Sequence, residues 1–165
     1  MRSIRSIFAG LVVAVVLGAA FTAVACGTSS GSSGSTASSS DLVTLAPGDF
    51  SLADYAGKPL VMNFFGSWCG PCNSEAPDLA GFAKAHPEVQ FVGVAVDDTE
   101  SDVASFMTKY ALDYPVVMDD NSLSADYGIT GVPTTFFFSS EGKEVDRIVG
   151  AASLDQFEQS LAKAQ

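Results

Sequence analysis

The chain is short of cysteine, histidine, tryptophan and basic side chains, and each shortage closes off a class of function. Among 165 residues there are three cysteines (Cys26, Cys69 and Cys72), one histidine (His86) and one tryptophan (Trp68). A structural zinc site needs four ligands, mostly thiolate or imidazole. Cys69 and Cys72 have the spacing of half such a site, but the folded part supplies no third cysteine and only His86. His86 precedes Pro87 at a helix end and reads as an exposed or capping residue. Eight Lys and Arg face nineteen Asp and Glu, for a formal net charge of -11. Arg2 and Arg5 account for two of those bases, so the rest of the chain carries six against nineteen acids. That balance leaves no electrostatic footprint for nucleic acid; its ordinary use is solubility. No glycine-rich phosphate loop occurs, so nucleotide or flavin binding has no support, and no cofactor or metal is expected.

What is present divides into three parts. Residues 1–25 read as a signal peptide: Arg2 and Arg5 form a positive start, and Ile7–Ala25 is an uncharged apolar run. Ala23-Val24-Ala25 then leads into Cys26. This layout resembles a bacterial lipoprotein signal, with Ala23 where that family prefers leucine. The resemblance implies cleavage before Cys26 and lipid on its sulfur. An uncleaved membrane span is the alternative, since a helix needs about 20 apolar residues to cross a bilayer. Both readings export the domain and tether it to a membrane. Residues 26–40 follow as a lipid-anchored linker; the stretch "GTSSGSSGSTASSS" cannot bury enough apolar surface to order itself, and reaches about 20 Å as a flexible coil. Residues 41–165 form one folded domain. Hydrophobic residues make up 47% of the chain, enough for a core.

Within the domain two periodicities alternate. "LVMNFF" (Leu60–Phe65) and "VQFVGVAV" (Val89–Val96) read as buried central strands. Between them Pro71–Ala85 is helical, with Pro77 expected to kink it. Ser101–Ala111 reads as a helix, Tyr114–Met118 as a strand, and Asn121–Tyr127 as a short helix closed by Gly128. Thr134–Phe138 and Glu144–Val149 form a hairpin across Gly142, and Ser153 caps a last helix. Leu42–Leu52 reads as two short strands around Pro47-Gly48. Phe136, Phe137 and Phe138 belong to a buried strand rather than to a cofactor pocket. The pattern is an α/β domain, with a mixed sheet flanked by helices on both faces.

The chemistry lies in "FFGSWCGPCNSE" (Phe64–Glu75). A disulfide between residues three apart closes almost no loop, so its entropic value as a staple is small. Cys69 falls between a strand end and a helix start. There the helix N-terminus lowers a thiol pKa below its free value of about 8.5, and the thiolate is the form that attacks disulfides. Cys72 lies one turn on, within reach of Cys69. Trp68 offers a flat apolar shelf, Gly70 keeps the approach open and Pro71 keeps the turn tight. On the residues alone, an inert structural pair and a one-cysteine peroxidase compete with this reading.

Trp68-Cys69-Gly70-Pro71-Cys72 resembles the active site of the thioredoxin superfamily. Gly131-Val132-Pro133-Thr134, about 60 residues later, resembles its second signature. Asn63 stands where ordinary thioredoxin has a buried aspartate. With Glu75 and Pro77 in "NSEAP" and the extra segment Ser101–Met118, it makes the chain similar to the TlpA/ResA-like extracytoplasmic thiol–disulfide oxidoreductases. The resemblance covers Leu42–Gln165. It implies a thioredoxin-like fold with an inserted helix–strand segment. It implies a redox disulfide between Cys69 and Cys72, with Cys69 attacking, Cys72 resolving and Glu75 assisting proton transfer at Cys72. Trp68, Val132 and a cis-Pro133 would hold the substrate backbone. It implies as partners exported proteins with cysteine pairs, apocytochrome c among the candidates, and a membrane electron donor of the CcdA type. Gly70-Pro71 leans toward a reductant. The rivals are a thiol oxidant for exported proteins and a non-catalytic metal or haem-protein chaperone on the same fold.

Overall fold

The computed structural model describes residues 44–165. The expected signal peptide, Cys26 and the linker lie outside that range. The elements are β1 (Thr44–Leu45), two 3-10 turns (Pro47–Asp49 and Leu52–Tyr55), β2 (Leu60–Phe65), α1 (Gly70–Ala85), β3 (Gln90–Ala95) and α2 (Glu100–Tyr110). They continue with β4 (Val116–Met118), α3 (Ser122–Asp126), β5 (Thr134–Phe138), β6 (Glu144–Val149) and α4 (Leu154–Leu161). The six strands make one sheet in the order β1-β4-β3-β2-β5-β6. Pairings from β1 to β2 are parallel, and β5 and β6 are antiparallel additions. The segment carrying α2 and β4 puts β4 between β3 and β1.

Strand β2 shows why the sequence folds this way. All six of its residues are buried, because both faces of a central strand are covered. Successive side chains point to opposite faces. Val61 and Phe65 join a core with Leu79 and Phe82 of α1, Phe106 of α2 and Phe157 of α4. Leu60, Met62 and Phe64 join a second core with Leu123 of α3 and Phe136 and Phe138 of β5. Phe82 and Phe157 stack at 5.4 Å and tie α1 to α4. Each fully buried side chain of this kind contributes about 1.5–3 kcal/mol through apolar burial. Asn63 is the polar exception in β2, on the same face as Val61 and Phe65.

Caps set the helix ends. Thr99 accepts the Asp102 N–H on its hydroxyl at the start of α2. At its end Ala111 adopts the left-handed conformation, φ 53°, where glycine is usual. Before α4, the Gln156 side chain accepts the Ser153 N–H at 3.0 Å. His86 is the C-cap of α1, and its ring bridges Glu88 and Glu158 at 3.0 Å each. Burial alone would lower the His86 pKa, but the hydrogen bonds it makes to Glu158 and Glu88 outweigh it and hold the imidazole above its ordinary value.

One expectation needs correction. Of the two strands expected in 42–52, the described residues form only Thr44–Leu45. Pro47 removes a ladder donor and opens a 3-10 turn instead, and a second such turn at Leu52–Tyr55 lays Leu52 and Tyr55 on the second core. Pro77 lies inside α1, yet the helix runs unbroken from Gly70 to Ala85. Residues flanking Pro77 on the buried side, Ala76 and Leu79, are anchored in the first core, and that packing holds the helix through the missing hydrogen bond.

Candidate active site

The parallel strands β2 and β3 end at the same edge of the sheet, and the turn after β2 delivers Cys69 there. The turn is braced from three sides. The Ser67 N–H and hydroxyl both donate to the Asp98 carboxylate, the hydroxyl at 2.9 Å. The Asn73 amide donates to the carbonyls of Ser67 and Cys69 at 2.9 Å each. Its own oxygen accepts from Lys109 Nζ and Tyr110 Oη of α2, at 3.2 and 2.8 Å. Gly66 leaves room for the Trp68 indole: a Cβ there would lie 2.6 Å from the ring, which would have to move. The indole is 60% exposed and donates to the Val96 carbonyl at 3.2 Å. Asp98, Asn73 and Gly66 were not legible as site residues in the sequence. The polar corner at 97–99, directly after a buried strand, was the one available signal.

Cys69 is the N-cap of α1, and its sulfur accepts the Cys72 N–H at 3.2 Å. Pro71 sits in the first turn, where an N–H has no helical partner in any case. Cys69 and Cys72 are joined as a disulfide with Cα atoms 5.3 Å apart. The Cys69 sulfur is 3.5 Å from the Val132 carbonyl oxygen. The Val132–Pro133 peptide bond is cis, and Thr134 fixes the loop by donating to the Gly131 carbonyl at 2.8 Å. A groove of about 270 Å³ runs beside the pair, with Trp68, Asp97, Asn121, Ile129, Gly131 and Val132 among its walls. A larger groove of about 870 Å³, near Tyr55, His86 and Tyr114, shares no residue with this site.

Glu75 is one helical turn beyond Cys72 and is buried, 3% exposed. Its Oε1 accepts from Asn63 Nδ2 at 3.1 Å and its Oε2 from the Ala152 N–H at 3.0 Å. Burial pushes its pKa from 4.5 up to about 7; the Ala152 and Asn63 hydrogen bonds pull the other way without cancelling it. The fold thus brings together Trp68, Cys69, Cys72 and Val132 around the disulfide, with Pro133 next in the chain and Glu75 inside the helix below. Cys26 lies outside the described residues. Among the described residues, no group of three or more His, Cys, Asp or Glu is arranged to hold a metal ion. None of their helices is long and apolar enough to cross a membrane.

A sheet of this order, with a disulfide at the start of the helix after its central strand and a cis-proline loop against it, defines a thioredoxin-fold protein of the disulfide-exchanging class. The Redoxin family profile matches residues 18–164, and the chain belongs to that family, among its TlpA/ResA-like members. It is 33% identical over 115 residues to the thiol-disulfide oxidoreductase ResA of Bacillus thuringiensis (strain Al Hakam), covering 68% of this chain and 66% of that one. Mycobacterium tuberculosis DsbF, solved in mixed oxidized and reduced forms, superposes with a TM-score of 0.64 at 33% identity, covering 68% of this chain and 84% of that one. A secreted M. tuberculosis disulfide oxidoreductase, homologous to E. coli DsbE, gives 0.63 at 32% identity, covering 68% and 87%.

Proposed function

We propose that the protein is a membrane-tethered, extracytoplasmic thiol–disulfide oxidoreductase that reduces disulfides in exported proteins through Cys69 and Cys72. The observation that carries this is the Cys69 sulfur, capped by the Cys72 N–H and facing the Val132 carbonyl. In the reduced protein a Cys69 thiolate is stabilised by the same N–H and by the helix N-terminus. It attacks a substrate disulfide, forms a mixed disulfide and expels one substrate thiolate. Cys72 then loses its proton to Glu75 and attacks the Cys69 sulfur. The second substrate thiolate leaves, Cys69–Cys72 becomes the disulfide, and two electrons have passed to the substrate. Val132 and Pro133 hold an extended substrate segment, and Trp68 shelters the exchanging sulfurs.

The N-terminal 25 residues act as a lipoprotein-type signal, Cys26 carries the lipid, and residues 26–40 give the domain reach from the membrane. Regeneration needs a membrane dithiol donor, for which the CcdA type is the candidate. Substrates are exported proteins with oxidised cysteine pairs, with the apocytochrome c haem-attachment pair as one candidate. Insulin reduction tests the reading: activity should be lost in Cys69→Ser, and retained activity there refutes it. The Cys69–Cys72 potential against glutathione fixes the direction. A value well below about -200 mV marks a reductant, and one near about -120 mV an oxidant.

A further inference from the structure

Glu75 sits among donors. Its two oxygens face the Asn63 amide and the Ala152 N–H, at 3.1 and 3.0 Å. Asn63 Nδ2 spends its second hydrogen on Thr135 Oγ1, at 2.9 Å. Asn63, Glu75 and Thr135 are 4, 3 and 1% exposed. The antiparallel β2–β5 register places Asn63 directly opposite Thr135, so the ladder fixes this pair. Drawn this way, the site suits only the ionised carboxylate. A protonated carboxyl needs an acceptor for its O–H, and a buried donor left facing another donor is costly. The Ala152 N–H cannot reverse its role.

We propose that Asn63 and Thr135 form a reversible hydrogen-bond pair that lets Glu75 take and release a proton while both of its oxygens stay hydrogen-bonded. Turning the Asn63 amide by about 180° replaces two donors with one oxygen carrying two lone pairs. A protonated Glu75 then donates from Oε1 to Asn63 Oδ1, and the Thr135 hydroxyl, which accepted before, donates to the same oxygen. Three hydrogen bonds exist in each state. The proton is the one that leaves the Cys72 sulfur, so the inference rests on the reading of Glu75 given above. Asn63 and Thr135 are positioning residues that act through Glu75. Aspartate at 63 could not serve, because an ionised carboxylate offers no donor and would repel Glu75. Two titratable neighbours bear on the site. Cys72 lies one turn back on α1. Tyr114, from the segment before β4, has a phenol raised by burial and then by the charges of Glu75 and Asp113. Asn63, Thr135 and Ala152 add none.

The test uses the oxidised full-length protein, in which neither Cys69 nor Cys72 titrates. NMR follows the Glu75 side-chain carboxyl carbon and the Asn63 side-chain amide protons from pH 5 to 9. Both signals should move with one midpoint. Asn63→Leu should raise the Glu75 midpoint by about one pH unit, the difference between a hydrogen bond to a charged group and one to a neutral group. Thr135→Val should raise it by less. Amide protons of Asn63 that stay still through the Glu75 titration overturn the proposal, and so does an unchanged midpoint in either variant. Should Asn63→Leu not fold, the wild-type amide titration decides alone. Failure of the proton-acceptor role itself is read elsewhere, as an unaltered Cys72 thiol titration in reduced Glu75→Gln.

Discussion

Replacing Glu75 with glutamine removes a buried charge while keeping the shape of the side chain. In the folded protein Glu75 titrates near pH 7, against 4.5 for an ordinary glutamate. That displacement corresponds to about 3 kcal/mol. Its sign follows from proton counting. Between pH 4.5 and 7 the folded state holds a proton that the unfolded chain has released, so stability falls as pH rises through this window. Below 4.5 both states are protonated and the site costs nothing; above 7 the full cost is present. Glutamine cannot ionise, so Glu75→Gln should lack this slope. Its own requirement is an acceptor for the Nε2 hydrogens, which a turned Asn63 supplies while Oε1 keeps the Ala152 N–H. Urea denaturation of the oxidised protein from pH 4 to 8 measures the effect. The difference in stability, variant minus wild type, should grow by about 3 kcal/mol across the window. A difference independent of pH would refute the assignment of a raised pKa to Glu75 and, with it, the use of this carboxylate as a base near neutrality.

Other perturbations probe other parts of the molecule. Phe157→Ala should cost about 3–5 kcal/mol in denaturant unfolding, because it empties the stack on Phe82 between α4 and α1. Ala111→Gly should raise stability by about 1 kcal/mol, since only glycine enters the left-handed C-cap of α2 without strain. Gly66→Ala should displace the exposed Trp68 indole, shifting its fluorescence and raising KM in insulin reduction with little loss of stability. His86→Gln should lower Tm at pH 5.5, and the loss should shrink as pH rises. A raised imidazole pKa gives stabilisation that is full below about pH 6.5 and fades as pH rises through the folded value.

Strands with an unbroken apolar run or a clear alternation were the most legible. Thr134–Phe138 and Glu144–Val149 have the bounds their apolar and alternating patterns indicate. Leu60–Phe65 declared itself as a continuous apolar run because both sheet faces are covered. The second strand expected in 42–52 was misread, since single apolar residues around Pro47-Gly48 carry no period and only their docking on the second core decides their conformation. At the site, the cysteine spacing and the Val-Pro signature could be read directly. Asn63 could be read only as a replacement for the aspartate of ordinary thioredoxin, whereas the fold makes it the donor to Glu75 and the partner of Thr135, 72 residues away.

Local chemistry was therefore written in the sequence. It fixed which residue caps the helix after β2, which thiol lies one turn away, and which face of each strand is apolar, because these follow from spacing along one element. The ionisation of Glu75 was not written there. It depends on an amide from β2 and a backbone N–H ahead of α4 converging on one buried carboxylate. Groups that far apart in the chain acquire a shared dielectric and shared hydrogen bonds only once the sheet and its helices have closed around them.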